Sequence, residues 1–298
     1  MDEPTLVTIA AANFASVPGD KDATLAKIER VVRDAARQAA DLVVFPELAL
    51  NDCGPCPGCL SADGPCPHHL AVAETVPGPS TRHLAAVAAE LGVHVIVGMA
   101  ERDAQSPGRL YNASALITPT GIAGTYRKLH LGLSRSATHP TTEGLTFVPG
   151  DALPVWETAL GPIGILICYD FWSNPELARI LALKGARLLV NTTASAAGPG
   201  KADYVAHTTV VRAQENLVYA VSSNRVDHGV GNSTIAGPAF PAFNHVFARA
   251  GTDEALLVAT IDFAQLQRWH DVFPWREWRN GRQSSVSKLV AEEFSALA

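Results

Sequence analysis

The chain has 298 residues, a net charge of −6 and 47% hydrophobic residues. A chain of this length and apolar content can bury a sizeable core without disulfides or metals. Its mildly acidic balance, with no basic run, argues against a nucleic acid partner, and no apolar run reaches the ~20 residues that a membrane span needs.

Two further features indicate the compartment. The start of the chain, Met1–Thr5, is acidic, whereas a secretory signal begins with basic residues. The five cysteines are an odd number, which fits a reducing compartment better than a disulfide framework. We therefore expect a cytoplasmic protein.

Apolar runs typical of strands alternate with helical patterns along the whole chain. The predicted strands are Leu6–Ala12, Leu42–Phe45, Val93–Ala100, Ala113–Thr118, Ile163–Ile167, Arg187–Asn191, Val218–Ser222 and Ala255–Ile261. The predicted helices are Asp22–Ala40, Ser80–Leu91, Pro175–Lys184 and Tyr204–Glu215. The alternation predicts a layered α/β fold in a single domain over residues 1–298, with a Cys/Pro/Gly-rich loop insertion at about residues 51–69.

Cys168 directly follows the predicted strand Ile163–Ile167. A helix is expected to begin at Pro175, with Asn174 as its cap and Gly185 as its stop. This arrangement places Cys168 at a carboxyl edge of the sheet, where the nearby helix amino terminus favours the reactive thiolate. The alternative is an inert, buried cysteine.

Two other charged residues stand at predicted strand ends. Glu47, after Leu42–Phe45, could be solvated, or it could have a raised pKa and take a proton from a thiol. Lys128 could lie at the surface, or it could stabilise an oxyanion. With Cys168 they provide the base, the nucleophile and the stabilising cation that amide cleavage requires.

Three segments in this order resemble those of the nitrilase superfamily, the carbon–nitrogen hydrolases: Phe45–Glu47, Tyr126–His130 and Ile167–Asp170. Leu181–Ala186 and Arg212–Asn216 extend the resemblance over nearly the whole chain. The resemblance implies a four-layer αββα sandwich and assembly as a homodimer or a larger homo-oligomer.

It also implies a catalytic triad: Glu47 as general base, Lys128 on the oxyanion and Cys168 as nucleophile. A second family glutamate corresponds to Glu143, whose alternative is an exposed loop carboxylate. Attack by Cys168 would give an oxyanion held by Lys128 and the backbone N–H of Tyr169, and then a thioester that water hydrolyses. No cofactor is needed for this chemistry.

The residues after the nucleophile indicate the substrate. Nitrile-cleaving members carry a Trp-Glu pair where this chain has Tyr169 and Asp170, which favours an amidase or a carbamoyl hydrolase. Members that act on N-carbamoyl amino acids place arginines where this chain has Phe171 and Trp172, which suit an uncharged or aromatic amide or, alternatively, the core. Thr193 is a further candidate for substrate binding.

Four cysteines cluster in the predicted insertion: Cys53, Cys56, Cys59 and Cys66. They could hold a structural zinc, although the usual pair of Cys-x-x-Cys units with a long insert is absent. The alternative is a Pro/Gly-rich loop whose thiols pack together or form disulfides.

Other functions remain open from the sequence. They are N-carbamoyl hydrolysis or nitrile hydrolysis by the same triad, a non-catalytic or ammonia-donating partner protein, and a papain-like hydrolase with His207 or His228 as its base.

Overall fold

The first sheet is built mainly from the amino-terminal half of the chain. The computed structural model describes residues 5–51, 64–133, 141–227, 229–274, 277 and 281–297. In these residues the sheet contains β1 (Leu6–Asn13), β2 (Leu42–Val44), β3 (His94–Arg102), β4 (Leu110–Thr118), β5 (Gly121–Arg127) and β12 (Ala255–Asp262), in the order β12-β1-β2-β3-β4-β5. The strands β1, β2 and β3 are parallel, so their carboxyl ends share one edge of the sheet.

The second sheet repeats this arrangement. It contains β6 (Val155–Thr158), β7 (Gly161–Ile167), β8 (Leu188–Thr193), β9 (Tyr219–Asn224), β10 (Thr234–Ala239) and β11 (Ala242–Arg249), in the order β11-β10-β9-β8-β7-β6. Here β7, β8 and β9 are the parallel strands. Each sheet therefore has a parallel centre whose strand ends can carry a site.

Alternating side chains divide each strand between two buried layers. In β2, Leu42 and Val44 face the cluster between the sheets, whereas Val43 faces the cluster outside the first sheet. The same alternation separates Ile9 from Ala10 in β1. Because successive strand residues point to opposite faces, these near-continuous apolar runs bury both faces of the sheet.

Helices cover the outer face of each sheet. The described helices are α1 (Lys21–Arg37), α2 (Pro67–Val72), α3 (Pro79–Leu91), α4 (Glu143–Thr146), α5 (Tyr169–Trp172), α6 (Pro175–Leu183), α7 (Lys201–Asn216), α8 (Ala264–Val272) and α9 (Gln283–Leu297). Helices α1 and α3 pack on the first sheet, and α6 and α7 pack on the second. The predicted single-domain αββα sandwich is confirmed. None of the helices in the described ranges is long and apolar enough to cross a membrane.

Some details differ from the prediction. Helix α6 begins at Pro175 as expected, but the Asn174 side chain donates to the Tyr169 carbonyl (3.1 Å) and does not cap the helix. The strands β5, β6, β10 and β11 were not predicted. Of these, β5 contains two glycines and β11 is largely exposed, so neither shows the apolar pattern of a buried strand. The predicted insertion stays a prediction, because residues 52–63 lie outside the described ranges.

Candidate active site

Three strand ends bring Glu47, Lys128 and Cys168 together between the two sheets. Glu47 follows β2, Lys128 follows β5 and Cys168 follows β7. The Lys128 ammonium donates to Glu47 Oε1 (2.8 Å), and both side chains are buried. The Cys168 thiol lies close enough to the Glu47 carboxylate for each group to shift the pKa of the other. The glutamate and the lysine are thus provided by one sheet and the cysteine by the other.

Glu143, in the first turn of α4, completes a buried cluster around the lysine. Lys128 Nζ donates to both Glu143 oxygens, at 2.9 and 3.0 Å. The backbone N–H of Gly132 donates to Glu143 Oε2 (3.0 Å). Glu143 is therefore a fixed partner of Lys128 and not a solvated loop carboxylate.

Asn112 in β4 is a site residue that the sequence reasoning missed. Its side-chain amide donates to Glu47 Oε1 and to Glu143 Oε1, each at 2.7 Å. An amide shared in this way keeps the two carboxylates at a fixed separation around the lysine. The signal available in the sequence was a polar side chain within a run that is otherwise apolar, which is seldom tolerated in a core without a specific partner.

The Glu47 carboxylate is ionised in the resting site. Burial alone would raise its pKa, but the charge of Lys128 and hydrogen bonds from Lys128 and Asn112 outweigh burial and lower the pKa. The two carboxylates likewise raise the pKa of Lys128 well above its ordinary value, against the effect of burial. The expectation of a raised Glu47 pKa is wrong, because a cation lies in direct contact with the carboxylate.

A main-chain contact from the second sheet fixes the other oxygen of Glu47. The N–H of Ala194, just after β8, donates to Glu47 Oε2 (2.8 Å). On the opposite side, Gly98 allows the Glu47 segment to approach β3 closely, since a Cβ there would lie 2.2 Å from the Pro46 carbonyl oxygen. The Glu47 side chain is thus clamped between β3 and β8.

Cys168 occupies a sharp turn between β7 and α5. Its φ of 47° and ψ of −104° are unusual for a residue with a side chain. Its N–H donates to Asn191 Oδ1 and to the Thr192 carbonyl, both at 3.0 Å. These bonds hold the turn against the end of β8.

The thiol of Cys168 is protonated in this setting. Desolvation and the adjacent Glu47 charge raise its pKa to about 12, while Lys128, the Thr193 hydroxyl and the Ala194 N–H favour the thiolate less strongly. The expectation that the helix amino terminus would stabilise a thiolate is wrong, because desolvation and the neighbouring Glu47 charge raise the pKa of the thiol. Attack by sulfur therefore requires removal of its proton by a base.

Asp170 ties the turn that carries Cys168 to the end of β5, which Lys128 follows. This fully buried carboxylate accepts hydrogen bonds from the Tyr126 hydroxyl (2.7 Å), the Leu129 N–H (3.0 Å), the His130 N–H (2.9 Å) and His130 Nδ1 (2.8 Å). Three of these four donors belong to Leu129 and His130, the two residues that follow Lys128. From the sequence, Asp170 was noted only as the residue found in place of the glutamate of nitrile-cleaving members. Its structural role could not be predicted, because its partners are about 40 positions away along the chain.

The structure corrects part of the predicted substrate wall. Phe171 is fully buried and belongs to the core between the sheet and its helices, so it does not line an open pocket. Trp172 is also buried and packs against Tyr204. Arg212 donates to the carbonyls of Phe171 and Trp172, at 2.9 and 3.0 Å, and thereby holds this turn. Tyr169, in contrast, is 49% exposed beside the nucleophile.

Three of the predicted zinc ligands, Cys53, Cys56 and Cys59, lie outside the described residues. The fourth, Cys66, is buried at the start of α2, and its N–H donates to Thr146 Oγ1 (3.0 Å). Within the described ranges, no group of three or more His, Cys, Asp or Glu side chains is arranged to hold a metal ion. The zinc site stays a prediction.

Of the histidines considered as alternative bases, His207 is exposed on α7, and His228 lies outside the described residues. Glu47 is the carboxylate whose charge acts on the thiol.

An αββα sandwich that joins a buried glutamate and lysine to a partly buried cysteine defines a class of enzyme that hydrolyses carbon–nitrogen bonds. The sequence model of the family described as carbon-nitrogen hydrolase matches residues 8–271. The chain belongs to the carbon-nitrogen hydrolase family, and the prediction of a hydrolase that acts on amides is confirmed at the level of this class.

Individual relatives are similar over most of their length. The chain is 34% identical over 265 residues to an (R)-stereoselective amidase of Pseudomonas sp., covering 87% of this chain and 86% of that protein. It is 33% identical over 250 residues to a nitrilase of Pyrococcus abyssi, covering 82% and 85%. The structure of Saccharomyces cerevisiae Nit3, a member of branch 10 of the nitrilase superfamily, matches with a TM-score of 0.76 at 23% identity, over 91% of this chain and 95% of Nit3. The fold is therefore shared with that protein.

Proposed function

We propose that this protein hydrolyses small, uncharged amides through a thioester on Cys168. The observation that carries the proposal is the position of the Cys168 thiol beside the ionised Glu47, which is itself paired with Lys128. A protonated thiol beside an ionised carboxylate is the arrangement in which a base can take the proton as the sulfur attacks.

In the first half of the proposed reaction, Glu47 accepts the thiol proton and the sulfur bonds to the carbonyl carbon. The carbonyl oxygen becomes an oxyanion, for which Lys128 and the backbone N–H of Tyr169 are the proposed donors. Loss of a single donor of this kind costs about 2.7–4 kcal/mol of transition-state stabilisation. When the intermediate collapses, the carbon–nitrogen bond breaks and Glu47 returns its proton to the leaving nitrogen, which departs as ammonia or an amine.

In the second half, Glu47 takes a proton from water, and the resulting hydroxide attacks the thioester carbon. The carbon–sulfur bond then breaks, the carboxylic acid is released and the thiolate recovers a proton from Glu47. Glu143 and Asn112 make no covalent bond in this scheme. They hold Lys128 and Glu47 at fixed positions through both halves.

The preference for uncharged substrates is proposed from the charges around the sulfur. Two carboxylates, Glu47 and Glu143, surround the single ammonium of Lys128, so the cluster is net negative. Residues 171–174 contain no arginine that could bind a substrate carboxylate. With Phe171 in the core, Tyr169 is the aromatic side chain left to contact the substrate.

We also propose that the protein works in a reducing, cytoplasmic compartment as a homodimer or larger assembly. Helices α6 and α7 flank the nucleophile turn and carry the exposed apolar side chains Ile180 and Val211, which suit a contact between copies. A reducing environment would keep Cys168 from being oxidised.

Acylation of Cys168 is the direct test of the mechanism. Wild-type protein that is mixed with a small amide and quenched in acid is expected to gain the mass of the acyl group, on the peptide that contains Cys168. The variant Cys168→Ala is expected to gain no mass and to lose turnover. Turnover that persists in Cys168→Ala, or an adduct on a different peptide, would refute the mechanism.

The charge preference has its own test. We expect kcat/KM for butyramide to exceed that for succinamate, a similar amide that bears a carboxylate, by about tenfold or more, because like charges repel in a partly desolvated site. Butyronitrile and an N-carbamoyl amino acid complete the panel. A preference for succinamate would contradict the proposal for the substrate while leaving the acyl-enzyme mechanism intact.

A further inference from the structure

Arg225, at the end of β9, has the largest side chain of those fully buried in the described part of the protein. None of the hydrogen bonds described for its side chain is to the Cys168 thiol. Its guanidinium instead donates to the Leu48 carbonyl (2.9 Å), to Ser16 Oγ (2.8 Å) and to the Asp227 carboxylate. A buried cation with this many specific partners fixes the relative positions of the segments that it joins.

The segment that Arg225 holds is the one that carries the proposed base. Leu48 directly follows Glu47 and has a φ of 51°, in the left-handed region that residues with a side chain seldom adopt. Its carbonyl accepts from both Arg225 Nη1 (2.9 Å) and the Asn51 N–H (3.0 Å). The left-handed turn is therefore held by hydrogen bonds and not by a glycine.

A second link secures the next peptide. Ser16 Oγ donates to the Ala49 carbonyl (2.9 Å) while it accepts from Arg225. Asp227 accepts from the Ser16 N–H (3.2 Å) and pairs with Arg225. Two consecutive carbonyls after Glu47 are thus anchored to one guanidinium, whose charge Asp227 balances.

We infer that Arg225 is a positioning residue for Glu47: by holding the left-handed Leu48 turn, it aims the Glu47 carboxylate at Lys128 and Cys168. The inference rests on the proposed function, since it assigns Arg225 a part in the base chemistry of Glu47. If Arg225 had a purely structural role, its replacement would lower the free energy of unfolding. It would not change kcat or the pH midpoint of Cys168 alkylation in the folded protein.

The test is Arg225→Lys, which keeps a cation for Asp227 but cannot reach Leu48 and Ser16 together. We expect kcat for amide hydrolysis to fall about 10- to 100-fold with KM changed less than about threefold, because misplaced catalytic groups lose rate more than binding. The matched control is Arg249→Lys, in which a partly exposed arginine also pairs with an aspartate, Asp203, and for which kcat is expected to stay unchanged.

A second measurement reports on geometry without turnover. The rate at which iodoacetamide alkylates the Cys168 peptide is followed against pH by mass spectrometry. If Glu47 moves away from the sulfur in Arg225→Lys, less negative charge faces the thiol, and the midpoint of this profile is expected to fall by about one pH unit. Unchanged kcat, or reduced kcat with an unchanged midpoint, would overturn the inference.

Ser16→Ala provides the test if Arg225→Lys does not fold. It removes one link but keeps the guanidinium, and we expect kcat to fall about fivefold with the alkylation midpoint shifted in the same direction. An unchanged midpoint and kcat in this variant would also overturn the inference. If the wild-type protein hydrolyses no amide in the panel, the proposed function fails, whereas the alkylation profiles still show whether Arg225 fixes Glu47.

Discussion

Replacing Lys128 with methionine is expected to reduce kcat by at least about 10²- to 10³-fold, because the oxyanion loses its charged donor. Methionine has a similar length but leaves Glu47 and Glu143 facing each other without a cation. Removing one partner from a buried ion pair lowers the free energy of unfolding by about 3–5 kcal/mol. Turnover and chemical denaturation are the measurements, with the exposed Lys288→Met as the control.

The stability loss in Lys128→Met is expected to depend on pH. In the wild type, the folded pKa of Glu47 lies below its ordinary value of 4.5, so its ion pair stabilises the protein above that pH and the stabilisation is lost as the pH falls through the folded pKa. In the variant, that pKa rises. The difference in unfolding free energy between wild type and variant should therefore be larger near pH ~7 than near pH ~4. A difference that does not change with pH would contradict the assignment of the ion pair.

Replacing Glu47 with glutamine is expected to separate turnover from thiol reactivity. Glutamine cannot accept the thiol proton, so kcat should fall by about 10²- to 10⁴-fold. Glu47 is also a main reason why the pKa of Cys168 is raised to about 12. Removing its charge lowers the pKa of the thiol, so iodoacetamide should alkylate Cys168 faster in the variant than in the wild type at mildly alkaline pH.

The control for this comparison is Glu157→Gln, which changes an exposed glutamate in β6. It should leave both rates at wild-type values. If Glu47→Gln instead slows alkylation along with turnover, Glu47 activates the thiol in the resting state, and the protonated-thiol description of the site is wrong.

The sequence was most informative where a polar residue stands at the end of an apolar strand pattern. Glu47 and Cys168 directly follow apolar strands of the parallel centres, and the strand rule places such residues at a common edge. The helices α1, α3, α6 and α7 were likewise predicted from their apolar periodicity. Pairing of the strands into two sheets was expected from the resemblance and not from the pattern.

What the sequence did not reveal depends on contacts between distant segments. Asn112, Asp170 and Arg225 each bind groups more than 30 positions away, so no spacing rule identifies them. The pKa of Cys168 was misjudged for the same reason, since it is raised by desolvation between the two sheets and by the charge of Glu47 on the other sheet. Phe171 was assigned to the substrate wall because some relatives carry arginines at these positions, with the core as the alternative, and the structure places it in the core.

Glu47 is held on one oxygen by Lys128 from its own sheet and on the other by the Ala194 N–H from the opposite sheet. This arrangement has a consequence for partly unfolded states. Each sheet could retain its strands while the two sheets slide or separate slightly. Such a state would still have the far-UV circular dichroism of the native protein. In the proposed mechanism such a state would be inactive, because Glu47 and Cys168 would no longer lie side by side. We therefore expect amide hydrolysis to be lost before the backbone signal of the strands when the two sheets begin to separate.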